Sequence, residues 1–310
     1  MKEPLVFIIV LNWNGFEETV ECLKQLEAVD YSNFKVVVVD NGSKNNEAER
    51  IKEKYSKIIL IKNKSNKGFV VANNQGVQIA LKGGAKYILF LNNDTYFHKD
   101  FLGKLVDYME TKENVGICGP VIKYYNSDRV WSAGGKYIYF GLAKQLWKGK
   151  KYGEFKEVVK EPQLVEFVSG CALLIRESIV RKIGMLDPIY FAYVEDVDIC
   201  FRCKKAGFEV ILVPESVVEH KKSSTTGVEG SRKFSALQTF LIIRNNILFA
   251  RKNLSGFARL LNLFGVLTVK LGYFMIFSKD AQARARTIAG VVSGFSSDLE
   301  NGNNIKFKFK

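Results

Sequence analysis

The chain has 310 residues, 47% apolar and 25% charged, which excludes a disordered or fibrous protein and allows a large core in one domain or a domain with an appendage. Its five cysteines are too few and scattered for a disulfide scaffold and fit a reducing compartment. The net charge of +14 is uneven: residues 221–310 hold 15 basic and 4 acidic side chains, a net of +11, against +3 for the first 220.

The opening run, "MKEPLVFIIVLNWNG", carries Glu3 and Pro4 ahead of a short apolar stretch and lacks the pattern of a secretory leader, so a cytosolic start is expected. Runs rich in Val, Ile and Leu at 5–13, 34–42, 57–63 and 86–94 predict strands buried on both faces. Between them, Phe16, Val20, Leu23 and Leu26 share a helical face, as do Val70, Val77, Ala80 and Leu81, and then Leu102, Leu105, Val106 and Met109. Alternating strands and helices predict an α/β fold with a mostly parallel central sheet and helices on both sides.

Ligands of such sheets bind beyond the carboxyl ends of the strands. Here those ends carry Asn12 and Asn14, then Asp40, Asn41 and Ser43, then Asn92, Asn93, Asp94 and Thr95. Any one could be a helix cap; three polar ends in one half-sheet favour a nucleotide-sized site. Asp94, with amides beside it, suits a hard divalent cation that leaves positions for phosphate oxygens. The alternative is a cap for the helix after "HKD".

Further along, "VGICGPVIKYY" predicts a strand, and the Gly, Trp and Tyr-rich run after it either a loop that covers a ligand or an edge hairpin. "LVEFVSGCALLIR" reads as a strand interrupted at Ser169 and Gly170. "VEDVDICFRCKKAG" opens a helix with three acids. Glu195 and Asp196 fall in its first turn, where exposed amides favour negative charge, and a carboxylate beside the aromatic turn "YFAY" can gain proton affinity and act as a general base. Asp198 faces another side. Cys200 and Cys203 are expected to be buried structural thiols. "FEVILVP" and "VVEH" predict strands, the second closing on His220, either an ordinary surface or core histidine or a nitrogen donor for a cation at Asp94. No G-x-G-x-x-G follows the first strand and no P-loop occurs, so neither a nicotinamide dehydrogenase nor a P-loop phosphotransferase is favoured.

The runs "FIIVLNWNG", "VVVVDNGS", "NKGFVVANNQG", "YILFLNNDT", "VSGCALLI", "FAYVEDVDICFRCKKAGF" and "VPESVVEH" resemble, in order, the GT-A-fold glycosyltransferases of family 2, most closely the rhamnosyltransferase-like branch. The resemblance implies a donor-base contact at Asp40 with Asn12 nearby, and Gly68 and Asn74 along the ribose and diphosphate. It sets Asn92, Asn93 and Asp94 at the D-x-D metal motif, its first acid replaced by Asn92, with His220 as the later metal ligand for Mn²⁺ or Mg²⁺. It implies Asp196 as general base of an inverting transfer supported by Glu195, and an acceptor side at Ser169, Gly170 and Asp198. The implied partners are a dTDP or UDP sugar and a glycan or polyprenyl-linked acceptor. A nucleotide- or carbohydrate-binding protein without turnover is the alternative, kept open by the missing acid.

The expected division is a catalytic domain over 1–222 and a basic, amphipathic helical region over 223–310. "LSGFARLLNLFGVLTVKLGYFMIFS" is about long enough to cross a bilayer, but Arg259 and Lys270 inside it favour an in-plane arrangement on the inner face of the cell membrane. The alternative is a soluble appendage or a homo-oligomer contact. Long aliphatic helices among the charges do not suit nucleic acid, so no nucleic-acid partner is expected.

Overall fold

A computed structural model describes residues 3–138, 142–221, 235–278 and 280–299. The parts of the basic tail at 222–234 and 300–310 therefore lie outside the described residues. Contacts group the chain into two units: Met1–Lys136, Lys144–Leu186 and Glu195–Lys222 form the first, and Tyr137–Ala143, Asp187–Val194 and Ser223–Lys310 the second. The second unit thus takes in two earlier segments that a simple division at 222 leaves with the catalytic part.

The first unit opens with β1 (Val6–Asn12), α1 (Phe16–Leu26), β2 (Phe34–Asp40), α2 (Glu47–Lys54), β3 (Ile59–Lys62), α3 (Phe69–Lys82) and β4 (Tyr87–Asn92). After these come β5 (Thr95–Phe97), α4 (Phe101–Thr111), β6 (Val115–Tyr124) and β7 (Val130–Ser132). A two-stranded ribbon, β8 (Gly135–Ile138) with β9 (Leu142–Gln145), occupies the glycine- and aromatic-rich stretch, of which Tyr137–Ala143 counts with the second unit. The unit ends with α5 (Tyr152–Val158), β10 (Gln163–Leu164), β11 (Ala172–Arg176), α6 (Glu177–Ile183), α7 (Glu195–Lys205) and β12 (Glu209–His220).

The large sheet runs β10-β12-β6-β11-β4-β1-β2-β3, with β5 on β12 and β7 on β6. β3, β2, β1 and β4 are parallel neighbours, and β6 is parallel to β12. β11 lies antiparallel between β4 and β6, and β10 antiparallel on β12, so most strands of the path point one way. β1 shows why its sequence lacks alternation: Val6, Phe7, Ile8, Ile9 and Val10 are all buried, as a central parallel strand requires.

Two sequence expectations change here. The run at 164–176 is not one interrupted strand: β10 pairs at the sheet edge, and β11 begins only after a turn in which the Ser169 hydroxyl accepts from the Cys171 amide at 3.3 Å. "FEVILVP" and "VVEH", by contrast, are one strand, β12, whose register shifts between Val213 and Val217, around Pro214, which has no amide to donate.

The second unit holds α8 (Ala236–Asn253), α9 (Gly256–Gly265), a π turn (Val266–Lys270), α10 (Leu271–Phe277) and α11 (Ala281–Ser296). Ser235 and Gln238 form a reciprocal capping box at the start of α8. α11 lies close along α8 because it offers small residues there. A side chain at Gly290 would sit 2.6 Å from the Phe240 carbonyl oxygen, and one at Gly294 would sit 2.8 Å from Ile247.

Candidate active site

The carboxyl ends of β1, β2 and β4 supply one corner of the site. Asn12, wholly buried, directs its amide nitrogen at Asp40 Oδ2 (2.8 Å), Glu47 Oε2 (3.0 Å) and Ser43 Oγ (3.1 Å), while its Oδ1 accepts from the Thr19 hydroxyl at 2.7 Å. Asp40 Oδ1 accepts from the Ser43 amide at 3.1 Å, and Glu47 Oε2 also takes the Gly15 amide at 3.1 Å. Asn93 donates to Thr19 Oγ1 at 2.9 Å. A hydrogen-bond relay therefore runs from the turn after β4, through Thr19 and Asn12, to the acid that ends β2.

Beside it, Asn41 donates to Asn66 and to the Gly68 carbonyl and accepts from Asn63 and the Lys67 amide, which fixes the loop leading to Gly68 and α3. Asn74 is engaged within the chain. Its amide donates to the Leu186 carbonyl at 2.7 Å and its oxygen accepts from the Leu186 amide at 3.2 Å, so both polar ends brace the chain.

The second corner is a turn. Asn93 and Asp94 connect β4 to β5, and α4 starts only at Phe101, so Asp94 caps no helix. β5 pairs with β12 in a register that sets Thr95 opposite His220, which brings together residues 125 positions apart. Asp94 Oδ1 lies 3.1 Å from His220 Nε2, and Asn92 Nδ2 lies 3.5 Å from the same nitrogen. Trp131 packs its ring 5.0 Å from the imidazole. His220 Nδ1 is buried with no hydrogen-bond partner.

This donor set fits a hard or borderline divalent cation. Ligand atoms at about 2.1 Å in an octahedral shell lie about 3 Å apart, close to the spacing found, and one oxygen with one nitrogen suits Mn²⁺ or Mg²⁺. Among the described residues no three His, Cys, Asp or Glu side chains converge. Asp94 and His220 would be the side chains to hold such an ion.

The third corner is the start of α7. Asp196 Oδ2 accepts from the Gly170 amide at 3.1 Å and Oδ1 from its neighbour Val197 at 2.8 Å. Burial raises the proton affinity of Asp196, and these backbone bonds oppose the rise. Glu195 lacks such support. Burial first, and then repulsion from Asp196 and Asp198, push its carboxyl up to about 8, and its Oε2 has no hydrogen-bond partner. Gly170 packs closely on both acids: a β-carbon there would stand 3.3 Å from Asp196 Cβ, a tight contact, and 3.8 Å from Glu195 Oε1, an ordinary one.

Asp198 has a structural partner. It is fully buried and its Oδ2 accepts from Arg202 Nε at 2.7 Å, while that guanidinium also binds the carbonyls of Ile183 and Met185. It ties α7 to the turn after α6. Ser169, too, is turned inward as the brace of its own turn. Cys200 and Cys203 are buried, with burial pushing both thiols up, Cys203 to about 12.

The second and third corners meet at β11. The Asn92 amide donates to the Cys171 carbonyl at 2.9 Å, and the next residue back, Gly170, holds Asp196. The Cys171 thiol feels both acids: burial, then the negative charges of Asp94, Cys22 and Asp196, raise it well above the usual thiol range. Two carboxylates about a hundred positions apart in sequence thus flank one short backbone segment.

With this geometry, comparison with known proteins is informative. The model of "Glycosyl transferase family 2" matches residues 7–184, more than half of the sequence. The chain belongs to glycosyl transferase family 2. It is a glycosyltransferase, and its similar curated proteins carry names of that kind. An N-acetylglucosaminyl-diphospho-decaprenol L-rhamnosyltransferase of Mycobacterium tuberculosis is 27% identical over 65% of this chain and 71% of its own. The dTDP-rhamnosyl transferase RfbF of Shigella flexneri is 25% identical over 80% of each.

Two solved structures share the GT-A fold. The mannosyltransferase PcManGT of Pyrobaculum calidifontis, in complex with GDP-Man and Mn²⁺, superposes with a TM-score of 0.58 at 15% identity over 96% of this chain and 77% of that one. GalNAc-T7 with UDP, GalNAc and Mn²⁺ gives 0.59 at 17% identity over 71% of this chain, which spans less than half, 44%, of that protein.

Sequence reasoning missed Glu47, Thr19 and Trp131. Glu47 reads as an ordinary acid in the first turn of a helix. The available signal was the demand of a buried strand-end asparagine for acceptors close by in the fold, which spacing alone does not reveal.

Proposed function

We infer that this family 2 enzyme moves a sugar, with inversion, from a nucleoside-diphosphate donor to a hydroxyl of a glycan or polyprenyl-linked glycan. Rhamnose from a dTDP donor is the first candidate and UDP hexoses the second, by analogy with the two rhamnosyltransferase relatives. The observation that carries the reading is the short path from Asp94 through Asn92, Cys171 and Gly170 to Asp196.

In this reading Asp40, oriented by Asn12, receives the donor's base, and the loop ending at Gly68 runs along the ribose and diphosphate. Asp94 and His220 would hold a divalent cation, which when bound offsets negative charge on the departing diphosphate. Asp196 accepts the proton of the acceptor hydroxyl as that oxygen bonds to the anomeric carbon. The bond from that carbon to the phosphate oxygen breaks on the opposite face, and the nucleoside diphosphate departs. Glu195 and Asp196 divide the work by environment. Two backbone amides keep Asp196 available as the base, while Glu195 holds its proton near neutral pH and can donate a hydrogen bond to a sugar oxygen.

Assay against a panel of dTDP, UDP and GDP sugars with Mn²⁺ or Mg²⁺ and a polyprenyl-diphosphate-linked sugar tests this. Transfer from one donor is the expected result. Donor binding with no transfer to any acceptor would favour a binding protein, the reading that Asn92 in place of the first metal-motif acid supports.

Helix 256–277 bears on where the acceptor is met. Its 22 residues have a mean hydropathy of 1.8 over their most apolar stretch, of which only 22% is buried. Phe257 and Ile276 are each 74% exposed, and Leu260, Phe264 and Val269 are also open. Arg259 and Lys270 within it make spanning costly, at roughly 3 kcal/mol for a charge at the bilayer centre, so the helix would lie in the headgroup plane. The protein should sediment with vesicles containing anionic lipid and be released by high salt, basic residues contributing about 1 kcal/mol each. Failure to bind at any salt would leave a soluble appendage or a homo-oligomer contact.

A further inference from the structure

The polar relay in the first unit has a direction, and each link is forced by the one before it. Asn12 faces two carboxylates, Asp40 Oδ2 at 2.8 Å and Glu47 Oε2 at 3.0 Å, so its amide nitrogen must lie on that side and its oxygen on the other. That oxygen can only accept, and Thr19 Oγ1 lies 2.7 Å from it, so the single hydroxyl proton of Thr19 is committed to Asn12. Thr19 is left with lone pairs alone. The group 2.9 Å away on its other side, Asn93 Nδ2, therefore has to donate.

Local structure keeps this direction. Thr19 and Asn12 are wholly buried and Asp40 nearly so, which leaves water no access to replace a lost link. A threonine inside a helix can return its hydroxyl proton to the carbonyl four residues back. Here that carbonyl, of Gly15, accepts the Thr19 amide at 2.9 Å and Asn93 Nδ2 at 3.4 Å, while the hydroxyl proton crosses to Asn12. Gly15 also makes the space, since a β-carbon there would stand 2.8 Å from Asn93 Nδ2. The identity of residue 93 follows from the same logic. A carboxylate in its place has no proton for Thr19 and, as the stronger acceptor, would draw the hydroxyl proton away from Asn12.

We propose that Thr19 is a positioning residue that ties the turn carrying Asp94 to the acid ending β2, and that its committed proton makes an amide, not an acid, the side chain required at position 93. The proposal rests on Asp40 receiving the donor's base, but the relay itself is testable without activity. It also assigns Asn93 a task inside the protein, where the resemblance implies one toward the ligand.

The experiment measures binding of uridine and thymidine under chelator by NMR, together with amide exchange of Ser43, whose N–H is held by Asp40 Oδ1 at 3.1 Å. These nucleosides carry no phosphate, so an added charge at position 93 does not repel them. Thr19→Val keeps the shape and removes the hydroxyl; Thr19→Ser restores the hydroxyl. Thr19→Val and Asn93→Asp should each weaken nucleoside binding and speed Ser43 exchange about tenfold, the scale of one displaced hydrogen bond, with the Ile8 and Ile9 amides of β1 within about twofold. Thr19→Ser should recover nucleoside affinity to within about threefold of wild type, because the proton is back in place. In the double variant, Thr19→Val with Asn93→Asp, the losses should not add, since both break one link. Unchanged Ser43 exchange in Thr19→Val, wild-type nucleoside affinity in Asn93→Asp, or losses that add, the mark of Asn93 touching the ligand directly, overturns the proposal. Should Thr19→Val fold poorly, Asn93→Asp, at a half-buried position, gives the same two readouts. Should Asp40→Ala bind nucleoside as wild type does, the base reading fails instead, and Ser43 exchange still decides the relay.

Discussion

Two groups of polar side chains in the first unit solve the burial of acids in opposite ways. Around Asn12, the carboxylates of Asp40 and Glu47 share one amide and take backbone N–H bonds, and none of these side chains has an orphaned buried polar atom. At the start of α7, Glu195 is buried against Asp196 with an unpartnered oxygen, and across β11 His220 keeps an unpartnered nitrogen. A fully bonded corner is rigid and preformed, which would suit the base recognition proposed for it; the corner left unsatisfied would suit the proposed proton transfer and groups that arrive with substrate.

The largest effect expected from breaking this contrast is on chemistry. Asp196→Asn removes the base and should lower transfer by roughly 10²- to 10⁴-fold while calorimetry shows the donor still bound. Asp94→Ala should weaken Mn²⁺-supported donor binding by roughly 100-fold, the upper end of what loss of even an outer-sphere partner costs, with little change in binding measured under chelator.

Asn12→Ala acts on the bonded corner, leaving Asp40 and Glu47 short of a donor. Each orphaned group costs about 1–3 kcal/mol. A melting temperature lower by several degrees and a weaker donor KM are expected; an unchanged melting curve would mean the network carries no stability.

The smallest effect is a pH dependence. Glu195 binds its proton more tightly folded, up to about 8, than its ordinary 4.5. Between those values the folded state holds more protons than the unfolded one, so this group's contribution is complete below about 4.5 and is lost as pH rises through about 8. Glu195→Gln should flatten that decline and be the more stable protein at pH 9, as read from thermal melts across pH 4–9. A wild-type stability that climbs over this range, with no difference in the variant, contradicts the assignment.

Sequence showed much of this because the signals were local. Continuous apolar runs gave β1 to β4, the 3.6-residue period gave α1, α3 and α4, and strand ends marked Asp40, Asn92 and Asp94. What escaped depends on partners distant in the chain. Asn74 bonds Leu186, 112 residues away, and Glu47 meets Asn12 across two parallel strands, neither of which periodicity can report. Asp198 looked like part of an acidic cluster, but its i+4 partner Arg202 turns it into a structural pair. The break of 164–176 into two strands followed from a turn that closes Gly170 onto Asp196, a contact no propensity encodes.

The central claim is that one cleft joins the acid of the β4 turn to the acid pair of α7 around a donor sugar. A crystal structure with Mn²⁺ and an unreactive nucleotide-sugar tests it most directly. The expected result has Mn²⁺ within about 2.2 Å of Asp94 Oδ1 and His220 Nε2 and Asp196 facing the anomeric carbon on the side opposite the diphosphate, with room for one hydroxyl between. A donor bound away from Asp94, or an Asp196 carboxylate turned from the sugar or on the diphosphate side, would contradict it.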